Sequence, residues 1–184
     1  MSPKKQEKSL PFIHKNFQTT VNLLELAREL SKKSKEENAD VSNVLASTML
    51  YVSIVEYLAQ YLINSMRELV ENSTFKSFDG IMYINETNKN EKFTLGQFVF
   101  ELRKYSFPDS QEIIRLFDEI SKARNTVFHN LSKMDADELS KIDQCMLMIP
   151  DLSEELIQKI DIVSEGFRKM IYPAQEHSTQ NGTN

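Results

Sequence analysis

Residues 41–70 read VSNVLASTMLYVSIVEYLAQYLINSMRELV and carry the longest apolar helical pattern of this chain. The apolar positions cover nearly the whole circumference of a helix: Val44, Leu45, Met49, Val52, Val55, Leu58, Leu62, Met66 and Leu69. A helix that is apolar almost all round is typical of the centre of a bundle. Asp40 or Ser42 can cap its start by accepting a hydrogen bond from a free amide. We therefore predict an all-α protein, a four- to six-helix bundle, built around this helix.

One carboxylate interrupts the apolar pattern. Glu56 shares a helix face with Val52 and Ile63. Burying a carboxylate without a partner is costly, so Glu56 needs either a cation or water. Two interpretations stay open: Arg124 pairs with Glu56, or Glu56 reaches solvent beside Tyr57.

The remaining pattern predicts further helices on both sides of the central one. Phe17, Val21 and Leu24 recur at helical spacing in a first helix over residues 12–34. Four later helices are expected, over residues 95–105, 110–131, 135–149 and 152–172. Thr94 and Gln97 form a capping box at the first of these, and Asp109 or Ser110 caps the second. Pro150 ends the third. Residues 71–92 are rich in polar and turn residues, which indicates an irregular insertion with room for a small hairpin at GIMYI.

Composition favours one helical domain. The chain has 184 residues, of which 40% are hydrophobic, and only four Gly and five Pro. This length suits one domain with its own core, and the scarcity of turn residues favours helices over strands. We expect a flexible arm over residues 1–11, a single domain over residues 12–172 and a disordered tail over residues 173–184.

We expect a cytoplasmic protein with no membrane segment. The charged start MSPKKQEKSL is followed by no apolar core of a secretion signal. Glu56 and Gln60 interrupt the best candidate for a membrane span. The single cysteine, Cys145, allows no internal disulfide.

The candidate functional segment is KARNTVFHNLSK, residues 122–133. Arg124, Asn125 and His129 supply a fixed cation, an amide and a titratable base within about two helical turns. No Asp or Glu lies between residues 121 and 134, so a chain of net charge -5 keeps one locally positive segment. This set of side chains suits the handling of phosphate. The candidate RNA-binding residues beside it are Lys122, Asn130 and Lys133.

Helix geometry separates two members of this set. Asn125 and His129 are four residues apart and share a helix face, whereas Arg124 and His129 are five apart and diverge by about 140° on an ideal helix. Either the end of the helix bends, or Arg124 of one copy meets His129 of another across a symmetric interface. The second interpretation predicts a homodimer.

With RNTVFH at residues 124–129, the chain resembles the HEPN family of small helical bundles, whose motif is an Arg, four to six residues and a His. Glu56 resembles the polar position of the family's second helix. The resemblance implies a HEPN-like bundle that acts as a metal-independent endoribonuclease and a dimer. It also implies catalytic roles for Arg124, Asn125, His129 and Glu56. Family members are commonly toxins or antiviral defence proteins.

The resemblance also bears on partners. It implies RNA as the substrate and an antitoxin or defence-system protein as a partner. In some HEPN toxins a Tyr two residues after the His is modified by a nucleotidyltransferase antitoxin. This chain has Leu131 there, which argues against that particular partnership.

No cofactor or metal site is predicted. The chain has only three His and one Cys and no HExxH pattern, so the sequence offers no set of metal ligands. It also has no GxxxxGK loop, which would bind a nucleoside triphosphate. Cleavage by the 2′-hydroxyl of RNA needs a base, an acid and a cation, which His129 and Arg124 can supply. Two other functions remain open: a module that binds nucleotide or RNA without cutting it, and a helical partner that bridges other proteins.

Overall fold

The computed structural model describes residues 17–36, 40–77, 94–131 and 136–171. Within these ranges the chain forms five helices and no strand, which confirms the predicted all-α class. The helices are α1 (Phe17–Lys33), α2 (Val41–Ser77), α3 (Leu95–Leu102), α4 (Ser110–Asn130) and α5 (Ala136–Ile171). The predicted arm, the predicted tail and residues 78–93 of the predicted insertion lie outside the described residues.

The central position predicted for α2 is confirmed, because α2 contacts each of the other four helices. Its start is capped as predicted: the Asp40 carboxylate accepts a hydrogen bond of 3.0 Å from the Ser42 amide. Eight of its apolar side chains are buried: Tyr51, Val52, Ile54, Val55, Ala59, Leu62, Ile63 and Met66. The core of the bundle therefore forms around this helix.

Judged by length and composition alone, α2 is also long and apolar enough to cross a membrane between Val41 and Glu71. In the bundle, 33% of its most apolar stretch is buried. The central helix of a helical bundle passes the same test of length and hydropathy, so this property does not locate the protein. The cytoplasmic location stays a prediction.

A polar contact joins α1, α2 and α5. The Arg28 guanidinium donates two hydrogen bonds, of 2.8 and 2.7 Å, to the Glu154 carboxylate. The Tyr51 hydroxyl of α2 donates a third, of 2.8 Å, to the same carboxylate. The bonds from Arg28 hold the pKa of Glu154 below its ordinary value, whereas burial raises the pKa of Tyr51. This carboxylate thus fixes the relative position of three helices.

The predicted helix end at Pro150 is wrong, because α5 runs through this residue without a break. Proline has no amide hydrogen, so the carbonyl of Met146, four residues earlier, loses its helical donor. The hydroxyl of the fully buried Thr48 lies 3.2 Å from this carbonyl and can donate to it instead. It also lies 2.9 Å from the carbonyl of Val44 in its own helix. A side chain of α2 thus offers the free carbonyl a partner.

Two other local predictions are corrected. Residues 71–77, predicted as the start of an irregular insertion, are helical and extend α2 to Ser77. Asp109 precedes α4 but forms no capping hydrogen bond through its side chain. Its φ of 57° is left-handed, and side-chain capping usually needs an extended backbone. The capping box of Thr94 and Gln97 at α3 is confirmed.

We predict that Thr48→Val lowers the free energy of unfolding by about 1–3 kcal/mol, the usual cost of leaving a buried polar group unpaired. In a Pro150→Ala chain the amide of residue 150 can donate to Met146, so the same substitution should cost less. Urea unfolding of the four chains measures this coupling. An equal cost in both backgrounds would show that Thr48 does not act through the proline.

Candidate functional site

The motif lies on the last two turns of α4, which is an uninterrupted α-helix through Asn130. Arg124 is partly buried on the side of α4 that meets α2. Asn125 and His129 are exposed, as is Lys122. The helix therefore divides the motif between two sides.

The ion pair between Glu56 and Arg124, one of the two interpretations left open by the sequence, forms in the structure. Nη2 of Arg124 lies 3.6 Å from Oε1 of Glu56, and the two side chains keep 32% and 35% of their exposure. Glu56 thus has both the cation and the access to water that the sequence left as alternatives. Because 3.6 Å exceeds hydrogen-bond length, the carboxylate attracts the guanidinium without holding it by a direct hydrogen bond.

Arg124 has two further neighbours on its own helix. Its Nη1 donates a weak hydrogen bond of 3.4 Å to Oδ1 of Asn125, and its Cζ lies 5.6 Å from the centre of the Phe128 ring. Its Nε is buried and makes no hydrogen bond within the described part of the chain. Because Nη2 lies beyond hydrogen-bond length from Glu56 and the side chain is partly exposed, Nη2 remains available to another acceptor, whereas the buried Nε does not. The sequence analysis missed Phe128, although its spacing of four residues from Arg124 could have indicated the contact.

The segment is less positive than the sequence indicated. Lys122 forms an ion pair of 2.7 Å with Asp118, one helical turn earlier. Arg124 is partly neutralised by Glu56. Both carboxylates lie outside residues 121–134, so the window without acidic residues did not reveal them. The spacing of four residues between Asp118 and Lys122 predicts their pairing.

Two of the predicted RNA-binding residues, Asn130 and Lys133, come at or after the end of α4 in the sequence. Asn130 is the last residue of α4, and Lys133 lies outside the described residues.

Within residues 17–36, 40–77, 94–131 and 136–171, no group of three or more His, Cys, Asp or Glu side chains could hold a metal ion.

The straight course of α4 bears on how Arg124 and His129 could act together. The helix continues through both residues, so the bent end that would bring them together is not observed. On a continuous helix the two side chains point about 140° apart. The pairing of two copies of the chain stays a prediction.

Comparisons with known proteins add no further assignment. No protein-family model matches the chain, no curated protein is similar to it, and no solved structure matches its fold. The resemblance to the HEPN family therefore rests on the residues quoted above.

We predict that Arg124→Ala and His129→Ala leave the bundle folded. His129 is exposed, so its loss should change the free energy of unfolding by no more than about 0.5 kcal/mol. Removing Arg124 leaves a carboxylate that water can reach, which should cost no more than about 1 kcal/mol. Circular dichroism and urea unfolding measure both. A loss of folded protein in both variants would indicate that the motif has a purely structural role.

Proposed function

We propose that this protein is a metal-independent endoribonuclease of HEPN type that cleaves RNA at a site shared by two copies. The observation that carries the proposal is Arg124: a partly exposed cation beside Glu56 whose Nη2 makes no direct hydrogen bond to that carboxylate. A guanidinium with such a donor suits a phosphodiester, whose oxygens accept hydrogen bonds. The residues assigned to catalysis are Arg124, Asn125, His129 and Glu56, and those assigned to RNA binding are Lys122, Asn130 and Lys133.

Cleavage by this route needs only groups that the chain carries. The 2′-oxygen attacks phosphorus and the bond from phosphorus to the 5′-oxygen breaks. One imidazole takes the 2′-proton, and an acid protonates the leaving 5′-oxygen. Arg124 offsets the charge that builds on the phosphoryl oxygens. Asn125, on the same helix, can donate to the same phosphate through its amide nitrogen.

A second copy of the chain supplies what one copy lacks. The single His129 cannot act on both sides of an in-line displacement at once. It also diverges from Arg124 on a continuous helix. A two-fold axis beside α4 would bring two copies of the motif together, so that one His129 acts as base and its mate as acid. The same axis would place Arg124 of one copy near His129 of the other.

The biological setting is part of the same proposal. A cytoplasmic ribonuclease without an obvious specificity domain suits a toxin or an antiviral defence effector, kept inactive by an antitoxin or another defence-system protein. RNA, a second copy and such a regulatory protein are the partners we propose. No cofactor is needed for this reaction.

The second candidate is a module that binds nucleotide or RNA without cleavage. It is favoured by the exposed position of His129, the one His of the motif, and by the ion pair that neutralises Lys122. Binding needs Arg124 and Asn125 but no acid or base. The third candidate, a structural helical partner, needs none of these side chains.

We predict that the purified protein cleaves RNA in the presence of EDTA. The products should end in a 2′,3′-cyclic phosphate and a 5′-hydroxyl, because attack by the 2′-hydroxyl needs no metal-bound water. Mass spectrometry of the fragments identifies the ends, and His129→Ala is the control for a contaminating nuclease. Products with a 3′-hydroxyl would exclude this mechanism.

We predict that a dimer of one intact chain and one His129→Ala chain has far less than half the activity of the intact dimer. If each site uses both imidazoles, every site loses an acid or a base worth on the order of 10² to 10⁴ in rate. Mixed dimers are isolated through two different affinity tags and assayed directly. Activity near half of the parental value would mean that each chain has an independent site.

A further inference from the structure

Four arginine residues in the described part of this bundle pair with carboxylates, and they fall into two groups by the length of that contact. Arg28 donates two short hydrogen bonds to Glu154. Arg115 donates to Glu112 and Glu119 over 2.6–2.9 Å. These guanidinium groups have short, direct carboxylate partners, as expected of arginine residues that hold helices or helical turns in place.

Arg67 belongs with Arg124 in the other group. Its Nη2 lies 3.7 Å from Oε1 of Glu101, beyond hydrogen-bond length, and both side chains keep 18% of their exposure. Its Nε is buried and makes no hydrogen bond within the described residues, as is also true of Arg124. The buried Nε atoms are out of the reach of a ligand. What Arg67 and Arg124 share is a partly exposed side chain whose Nη2 makes no direct hydrogen bond to its carboxylate partner.

Arg67 lies on α2, and Arg124 of α4 contacts Glu56 on the same side of α2. Glu56, the ion-pair partner of Arg124, lies eleven residues before Arg67, which is about three helical turns. On an ideal helix the two residues are about 20° apart around the axis and about 16 Å apart along it. Between them lie Gln60 and Asn64, whose side chains are joined by a hydrogen bond of 3.0 Å. Asn64 is exposed and Gln60 is partly so. We call Glu56, Gln60, Asn64 and Arg67 the polar strip of α2; the fully buried Ile63 lies beside it.

We propose that Arg67 is a second phosphate-binding residue, and that a single-stranded stretch of RNA follows this strip of α2 from Arg124 to Arg67. The inference rests on the proposed function, because it takes the strand at Arg124 as its starting point. Gln60 and Asn64 offer donors and acceptors to the nucleotides between the two phosphates. Glu71, one turn beyond Arg67, is exposed and would repel the strand, so the path ends there. Arg67 acts as a binding residue at a distance from the bond that is cleaved.

Binding is measured with a fluorescent oligonucleotide of about twelve nucleotides that is fully 2′-O-methylated, because it lacks the attacking hydroxyl and cannot be cleaved. Arg67→Gln should weaken its binding about tenfold, the size expected for one charge-assisted phosphate contact. The slope of log affinity against log salt should fall by about 0.7. A single nucleotide cannot span about 16 Å, so its binding should be unaffected by Arg67→Gln.

Lys169→Gln is the matched control. It also removes one positive charge, from an exposed ion pair with Glu165 on α5. It should leave both the affinity and the salt slope unchanged. Arg124→Gln is measured beside it, and it should weaken the binding of the oligonucleotide and of the single nucleotide alike.

The outcomes separate the two proposals. If Arg124→Gln weakens binding and Arg67→Gln does not, the role of Arg67 is excluded while the site at Arg124 stands. If both weaken binding but the natural RNA is never cleaved, the phosphate path stands and the nuclease is excluded. Absence of oligonucleotide binding by the intact chain excludes both.

The Arg67→Gln chain should fold, since Glu101 retains Lys104 as an ion-pair partner when Arg67 is replaced. If Arg67→Gln nevertheless fails to fold, Glu101→Gln is tested in a Lys104→Gln chain. With Lys104 already replaced, Arg67 is the cation that loses its carboxylate partner when Glu101 becomes Gln. The affinity for the oligonucleotide should therefore rise. An unchanged affinity there would exclude Arg67 as a phosphate contact.

Discussion

The packing of α2 against all four other helices is the constraint on which the rest of this structure depends. A helix packed on four sides has little freedom to rotate, so the core sets the directions of its polar residues. Glu56 and Arg67 are therefore presented to α4 and α3 by packing that neither residue makes itself. Between them, Gln60 and Asn64 keep part of their surface open to solvent.

Charge is arranged differently around the core and around the polar strip of α2. The carboxylate of Glu154 accepts three short hydrogen bonds from α1 and α2, which fixes the helices at one end of the bundle. Glu56 and Glu101 stay beyond hydrogen-bond length from their arginine partners. Such pairs cost little to open, because neither carboxylate holds its guanidinium by a direct bond. A phosphate can therefore replace a carboxylate at the strip more easily than at the junction of α1, α2 and α5.

The sequence predicted the helical class, the central helix and, as one of two interpretations, the pairing of Glu56 with Arg124, because each follows from a cost that burial imposes. It failed at Pro150, where the rule that proline ends a helix is local and the partner of the freed carbonyl, Thr48, comes from another helix. It also failed to indicate Arg67. The partner of Arg67, Glu101, lies on a helix separated by residues 78–93, and no periodicity links the two. The residue pattern of one helix does not predict its contacts with distant parts of the chain.

The course of α4 connects the fold to the proposed chemistry. A continuous helix through Arg124 and His129 is required by its core positions, since Ile120 and Val127 are both fully buried and share one face. Bending the end of α4 to bring the cation and the imidazole together would pull Val127 out of the core, at a cost of about 1.5–3 kcal/mol for the exposed side chain. Pairing two copies requires no such change, because His129 and Asn125 are already exposed. The composite site proposed above therefore requires no change in the packing of α4.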